Sequence, residues 1–281
     1  MLDLGVKHTL VIDRDTPPGL FLKDPNSEEE VLLPNKYKPS HFEIGDQIEV
    51  FVYLDFDERP IATTLEPKVM LDEFAYLTCV DSNDFGAFLD WNLEKHLFVP
   101  HMEQAYKMLK GEQYLIFCYL DEQTNRLVAS SRVNKFVDNS ILTVEHFDEV
   151  DLIVTNPTEM GYNVIINEIH SGLLYKDEVF QELKTGDRLK GVVKKIRPDN
   201  KIDVSLQRPG YRGIEPNAKK IMEVLESSDG GFLPIHDKSK PELIYETVHL
   251  SKKAFKKAIG TLYKERQITI ENGKGIFLKK N

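Results

Sequence analysis

The apolar positions of this chain follow two rhythms. As far as about residue 206 they fall in short β-branched and aromatic runs with polar residues between, the spacing of half-buried strands. Past Arg212 the interval lengthens to the three and four residues of amphipathic helices. Within the first regime one layout recurs three times. A glycine and an acidic residue lead into a strand-like run at Gly45-Asp46 to Leu54, at Gly111-Glu112 to Leu120 and at Gly186-Asp187 to Lys195. A polar turn and a second run follow each: Ile61–Thr64, Leu127–Arg132 and Ile202–Gln207.

Ahead of each Gly-acid turn lie three more strand-like runs. In the first unit they are Leu10–Asp13, Gly19–Leu22 and Glu30–Pro34. In the second they are Leu77–Val80, Gly86–Leu89 and His96–Pro100, and in the third Leu152–Val154, Gly161–Ile165 and Gly172–Tyr175. The second and third units carry a helical or irregular link between their third and fourth strands, at Met102–Leu109 and Asp177–Leu183. Five short strands per unit with such a link predict a small closed barrel of the OB type, repeated in tandem.

In the C-terminal regime, Asn217–Leu225 turns Ala218, Ile221, Met222 and Leu225 toward one side, with Val224 nearby. Ser239-Lys240-Pro241-Glu242 reads as a capping box with proline in the first turn. A further helix from Ser251 turns Ala254, Phe255, Ala258, Ile259 and Leu262 inward, and Asn272-Gly273 joins two final strands, Ile268–Glu271 and Gly275–Leu278. Three helices and a hairpin predict a winged helix-turn-helix. The expected fold is therefore mainly β with a C-terminal α+β module. Its expected domains are residues 1–66, 67–147, 148–213 and 214–281, with Gly210–Ile214 as the last joint.

Asp84-Phe85-Gly86-Ala87-Phe88 in the second unit resembles the S1 domain, an OB-fold family of RNA binders with an aromatic-Gly-Ala-aromatic run at its second strand. Met160-Gly161-Tyr162-Asn163-Val164 and Pro18-Gly19-Leu20-Phe21 keep less of it. Three such units and a winged helix, with Ser251–Tyr263 as the most recognisable stretch, resemble the conserved virulence factor B family of Gram-positive bacteria. The resemblance implies a regulatory RNA-binding role in gene expression and no catalytic activity. It also implies a basic residue after the fifth strand, which Arg132 supplies, and a histidine ending the third, where Pro100 stands beside His101.

Charge first opposes and then refines this picture. The net charge is −10, against the lysine and arginine that phosphate contacts need. The charge is polarised, however: residues 1–150 carry −15 and residues 216–281 carry +5. The basic C-terminal half is thus the expected electrostatic surface. No stretch approaches a membrane span and no leader pattern opens the chain, so a cytoplasmic protein is expected. Cys79 and Cys118 sit in strand-like runs, as buried free thiols would.

The candidate contacts are few. Phe85 in a turn and Phe88 on an outer strand face could each stack a base, unless one ring belongs to the core. In the third unit Tyr162 is the aromatic candidate. Lys194, Lys195, Arg197, Lys201 and Arg208 cluster there at the last hairpin, either meeting phosphates or forming a solvated edge. On the C-terminal helix Lys253, Lys256, Lys257 and Lys264 share a face suited to backbone contact more than to reading base edges. Walker A, GxGxxG, HExxH and GxSxG patterns are all absent, so no enzyme, cofactor or metal is expected. Single-stranded RNA is the expected partner. Duplex DNA bound by the winged helix and a protein partner are the rival readings.

Overall fold

The computed structural model describes residues 2–179, 182–206, 216–264, 266–271 and 273–279 of the chain. Its first five strands are β1 (Lys7–Thr16), β2 (Gly19–Lys23), β3 (Glu30–Pro34), β4 (Gln47–Leu54) and β5 (Pro60–Thr63). The second set is β6 (Phe74–Ser82), β7 (Gly86–Asp90), β8 (Leu97–Pro100), β9 (Gln113–Asp121) and β10 (Arg126–Ser130). The third is β11 (Glu149–Pro157), β12 (Gly161–Ile166), β13 (His170–Tyr175), β14 (Arg188–Ile196) and β15 (Ile202–Ser205). Each set closes into a barrel in which the fifth strand lies between the third and fourth. The third and fifth strands run parallel, and the remaining pairs are antiparallel.

The recurring Gly-acid turn has a structural purpose. The first strand of every barrel bulges by one residue, at Asp13, Val80 and Thr155. The glycine before each fourth strand donates its N–H across to a carbonyl of the bulged first strand, at 2.8 Å each: Gly45 to Ile12, Gly111 to Cys79 and Gly186 to Val154. Those three residues return the bond to the carbonyl of the acidic neighbour, at 2.8 to 2.9 Å. The glycines hold φ of +101°, +89° and +90°, a conformation that a β-carbon disfavours. The glycine opening each second strand is required for a different reason. A β-carbon on Gly19, Gly86 or Gly161 would lie 2.0 to 2.3 Å from a carbonyl oxygen of the third strand.

Adjacent barrels share apolar surface. Phe51 and Tyr53 of β4 point into the cluster that holds the second barrel's core, where Trp91 meets both rings edge-on. Phe74 and Phe117 of the second barrel pack with Ile153 and Ile165 of the third, and Phe136 stacks on Phe117 with centroids 4.2 Å apart. Burying a side chain of this size contributes about 1.5–3 kcal/mol, so each junction opposes free rotation of the barrels. Among the described residues the two predicted links before the fourth strands of barrels 2 and 3 hold one short helical turn each, at His101–Glu103 and Lys176–Glu178.

The C-terminal module is α1 (Pro216–Ser227), β16 (Phe232–Leu233), α2 (Pro241–Val248), α3 (Lys252–Lys264), β17 (Ile268–Glu271) and β18 (Gly275–Leu278). Its core is built from Ile221, Leu225, Ile244, Phe255, Ile259, Leu262 and Ile276 among others. The three strands pair in the order β16-β18-β17, so the short β16, which the sequence pattern does not announce, extends the predicted hairpin. The capping box is not formed. Ser239 instead closes the preceding turn, its Oγ accepting the N–H of His236 at 2.9 Å, and α2 starts without a side-chain cap. Ser251 supplies a cap to α3, its Oγ accepting the N–H of Ala254 at 3.2 Å. Asn272 of the predicted turn and the joint Gly210–Ile214 lie outside the described residues. Cys79 and Cys118 are buried and free, and burial pushes the Cys118 thiol up to about 12.

Candidate nucleic-acid interface

In an OB barrel the second and third strands form the face that meets oligonucleotides. On the second barrel that face carries Phe88, which alternates outward between the buried Ala87 and Leu89. Phe88 pairs across the sheet with Phe98 of β8, the ring centroids 5.2 Å apart. Phe85 sits in the turn before β7 and is 79% exposed. The turn is rigid: the Asn83 side chain accepts the Phe85 N–H at 2.9 Å, and the Asn83 N–H reaches the Gly86 carbonyl at 2.9 Å. Phe85, Phe88 and Phe98 line a groove of about 680 Å³ whose lining also includes Trp91, Lys95 and Arg126. Phe85 and Phe88, predicted as a pair, are therefore brought to one groove. Phe98 and Trp91 are not singled out by the sequence pattern, although the pairing of Gly86 with Pro100 sets Phe98 beside Phe88.

The same three positions differ in the other barrels. Barrel 1 places Pro18, Phe21 and Leu32 there. Its ring is covered, because the Arg14 guanidinium lies 4.1 Å from the Phe21 centroid and is held by Asp13 at 2.8 Å and by both carboxylate oxygens of Glu30 at 2.7 and 2.9 Å. Those bonds hold the Glu30 carboxyl below the usual carboxylate range. Barrel 3 places Met160, Asn163 and Leu173 there. Tyr162, the predicted aromatic, aligns with the buried Ala87 and packs against the barrel core, so the outward residue is Asn163.

The basic candidates divide by their partners. Arg132 donates from Nε to the Met102 carbonyl at 2.8 Å and borders a groove of about 800 Å³ between barrels 2 and 3, together with Tyr76, Tyr106 and Asn163. His101 begins the short helical turn nearby and is exposed. Arg197 is engaged inside its own barrel, in a two-point bond with Asp203 at 3.1 and 2.6 Å and a further bond to the Tyr175 hydroxyl. Lys194 lies 5.9 Å from the Tyr175 ring, Lys195 is exposed and Lys201 pairs with Asp199 at 2.7 Å. Arg208 lies outside the described residues. On α3, Lys253, Lys256, Lys257 and Lys264 are all exposed, opposite a face made of Phe255, Ala258, Ile259 and Leu262.

Against known proteins, residues 219–278 match the CvfB-like winged helix domain and residues 4–65 match the S1 domain. The uncharacterized protein YitL of Bacillus subtilis is 29% identical, covering 96% of this chain and 92% of its own length. Conserved virulence factor B of Staphylococcus aureus is 26% identical, covering 92% and 89%. A crystallised multidomain protein with nucleic acid binding domains from Streptococcus pneumoniae aligns over 99% of both chains at 23% identity, with a TM-score of 0.47. The family resemblance read from the sequence thus holds along nearly the whole chain. The matched domains are nucleic-acid-binding types rather than catalytic ones. No helix among the described residues is long and apolar enough to cross a membrane.

Proposed function

We propose that this chain, a relative of the conserved virulence factor B proteins, binds single-stranded RNA through its barrels and acts on gene expression by doing so. The observation that carries this reading is the open aromatic face of the second barrel. Phe88 and Phe98 lie side by side on the strands an OB barrel offers to oligonucleotides, and Phe85 stands exposed at their edge. Unpaired bases stack on such rings, which is how proteins take hold of single strands without reading a duplex groove. Lys194, Lys195 and the α3 lysines would add phosphate contacts from the basic half.

Replacing Phe85 and Phe88 together by alanine should weaken binding of an unstructured RNA by about 2 kcal/mol or more, roughly thirtyfold, if two bases stack. Unchanged affinity in a double variant with a native circular dichroism spectrum would sink the reading. A second reading, duplex DNA held by α3, rests on the exposed lysine face of that helix. Filter binding with single-stranded RNA and duplex DNA side by side separates the two, and failure with both would favour a protein partner.

A further inference from the structure

The groove on the second barrel is not made by that barrel alone. Leu54 at the end of β4, and Phe56 and Glu58 in the turn between β4 and β5 of the first barrel, line it as well. Phe56 is 74% exposed, and its turn is held as firmly as the one bearing Phe85. The Asp55 carboxylate accepts the N–H groups of Asp57 and Arg59 at 2.8 and 2.9 Å and the Arg59 guanidinium at 2.8 Å, while the Asp55 N–H reaches the Arg59 carbonyl at 2.9 Å. The two turns are also fixed relative to each other. Lys95 of the second barrel donates to the Asp55 carbonyl at 2.6 Å, Arg126 pairs with Glu58, and Trp91 is wedged against Phe51 and Tyr53.

Two bare phenylalanine rings on rigid turns of different barrels, opening on one groove, form a preorganised site for something flat. We infer that this groove is a base clamp shared by two barrels, with Phe56 of the first and Phe85 of the second gripping unpaired bases of one RNA strand. The inference rests on the RNA-binding reading above and adds barrel 1, Phe56 in particular, to its site. Charge favours a nucleobase as the occupant. The acidic groups at the rim are already neutralised, Glu58 by Arg126 and Glu94 by Lys36, so the groove suits an uncharged ring whose phosphates stay outside. An extended peptide is disfavoured because the barrel is closed and offers no free strand edge on which it could add.

The test uses the full-length protein and a fluorescein-labelled oligouridylate, read by anisotropy at several salt concentrations. Phe56→Ala should weaken binding at least about fivefold, the low end of the effect of removing one stacked base, and Phe56→Trp should retain it. The salt dependence should be unchanged, because the same phosphates stay neutralised. Since Phe56 is exposed, the unfolding midpoint of the alanine variant should match that of the parent protein. Affinity of Phe56→Ala within twofold of the parent, while Phe85→Ala binds weakly, would overturn the clamp and leave the RNA reading standing. Absence of binding by the parent protein would remove both.

Discussion

In barrel 1 the outward ring of the second strand, Phe21, lies beneath the Arg14 guanidinium, and across from it stands Leu32. In barrel 2 the corresponding ring, Phe88, faces Asp81 where barrel 1 has Arg14, and Phe98 where barrel 1 has Leu32. Both barrels share strand order, bulge position, Gly-acid turn and close-approach glycine. The difference lies in the cross-strand neighbours. An arginine fixed by two carboxylates occupies the ring face in one barrel, and a second aromatic leaves it open to a ligand in the other. A repeated frame therefore does not carry a repeated surface, and two or three positions decide whether the aromatic face of a barrel is open or covered.

The largest effect should come from breaking the junction that joins the two barrels. Phe51→Ala removes a buried ring belonging by sequence to barrel 1 and by packing to barrel 2, and should cost about 3–5 kcal/mol in urea unfolding. A change under about 1 kcal/mol would mean that the barrels do not depend on each other. Next is a transplant of the cap. Asp81→Arg with His96→Glu places an arginine and a carboxylate in barrel 2 where barrel 1 has Arg14 and Glu30, and should reduce RNA affinity by about 1–3 kcal/mol, the value of one stacked base. Full affinity in that variant would show that covering Phe88 is irrelevant.

Smaller changes separate stacking from charge. Replacing Lys253 and Lys256 by alanine should lower the salt slope of RNA binding by about 0.7 for each phosphate no longer neutralised, whereas Phe85→Ala should lower affinity and leave the slope alone. Identical slopes in both variants would end the division of labour between the acidic front and the basic back. The smallest effect is expected from deleting residues 216–281. Among the described residues the C-terminal core draws only on residues 218–278, so urea unfolding of the three barrels should stay within about 0.5 kcal/mol of its original value. Disappearance of their cooperative transition would place the boundary elsewhere.

The barrels are legible because each Gly-acid turn performs the same backbone task, docking on a bulge, and a backbone task leaves a recurring residue pair. Pairing partners leave no such mark. Whether Arg197 is available or committed depends on Asp203 and Tyr175, which only the folded barrel brings to it. Tyr162 follows its close-approach glycine directly, as the buried Ala87 does, so strand alternation from Gly161 turns it toward the core and leaves Asn163 outside. Ser239 stands one residue ahead of the N-cap, a position that Lys240 holds, and its hydroxyl closes the turn before α2. Phe56 lies in a different repeat from the groove it lines, so comparison of the repeats one by one passes over it.

The central claim, that RNA is held in the groove between barrels 1 and 2, can be read from the single tryptophan of the chain. Trp91 is 3% exposed, lines that groove and packs against Phe51 and Tyr53. Titrating an oligouridylate into the protein with excitation confined to tryptophan should change the emission saturably, at the same midpoint as anisotropy reports, and Phe85→Ala with Phe88→Ala should abolish the change. RNA that binds by anisotropy without altering Trp91 emission occupies another surface and would contradict the account.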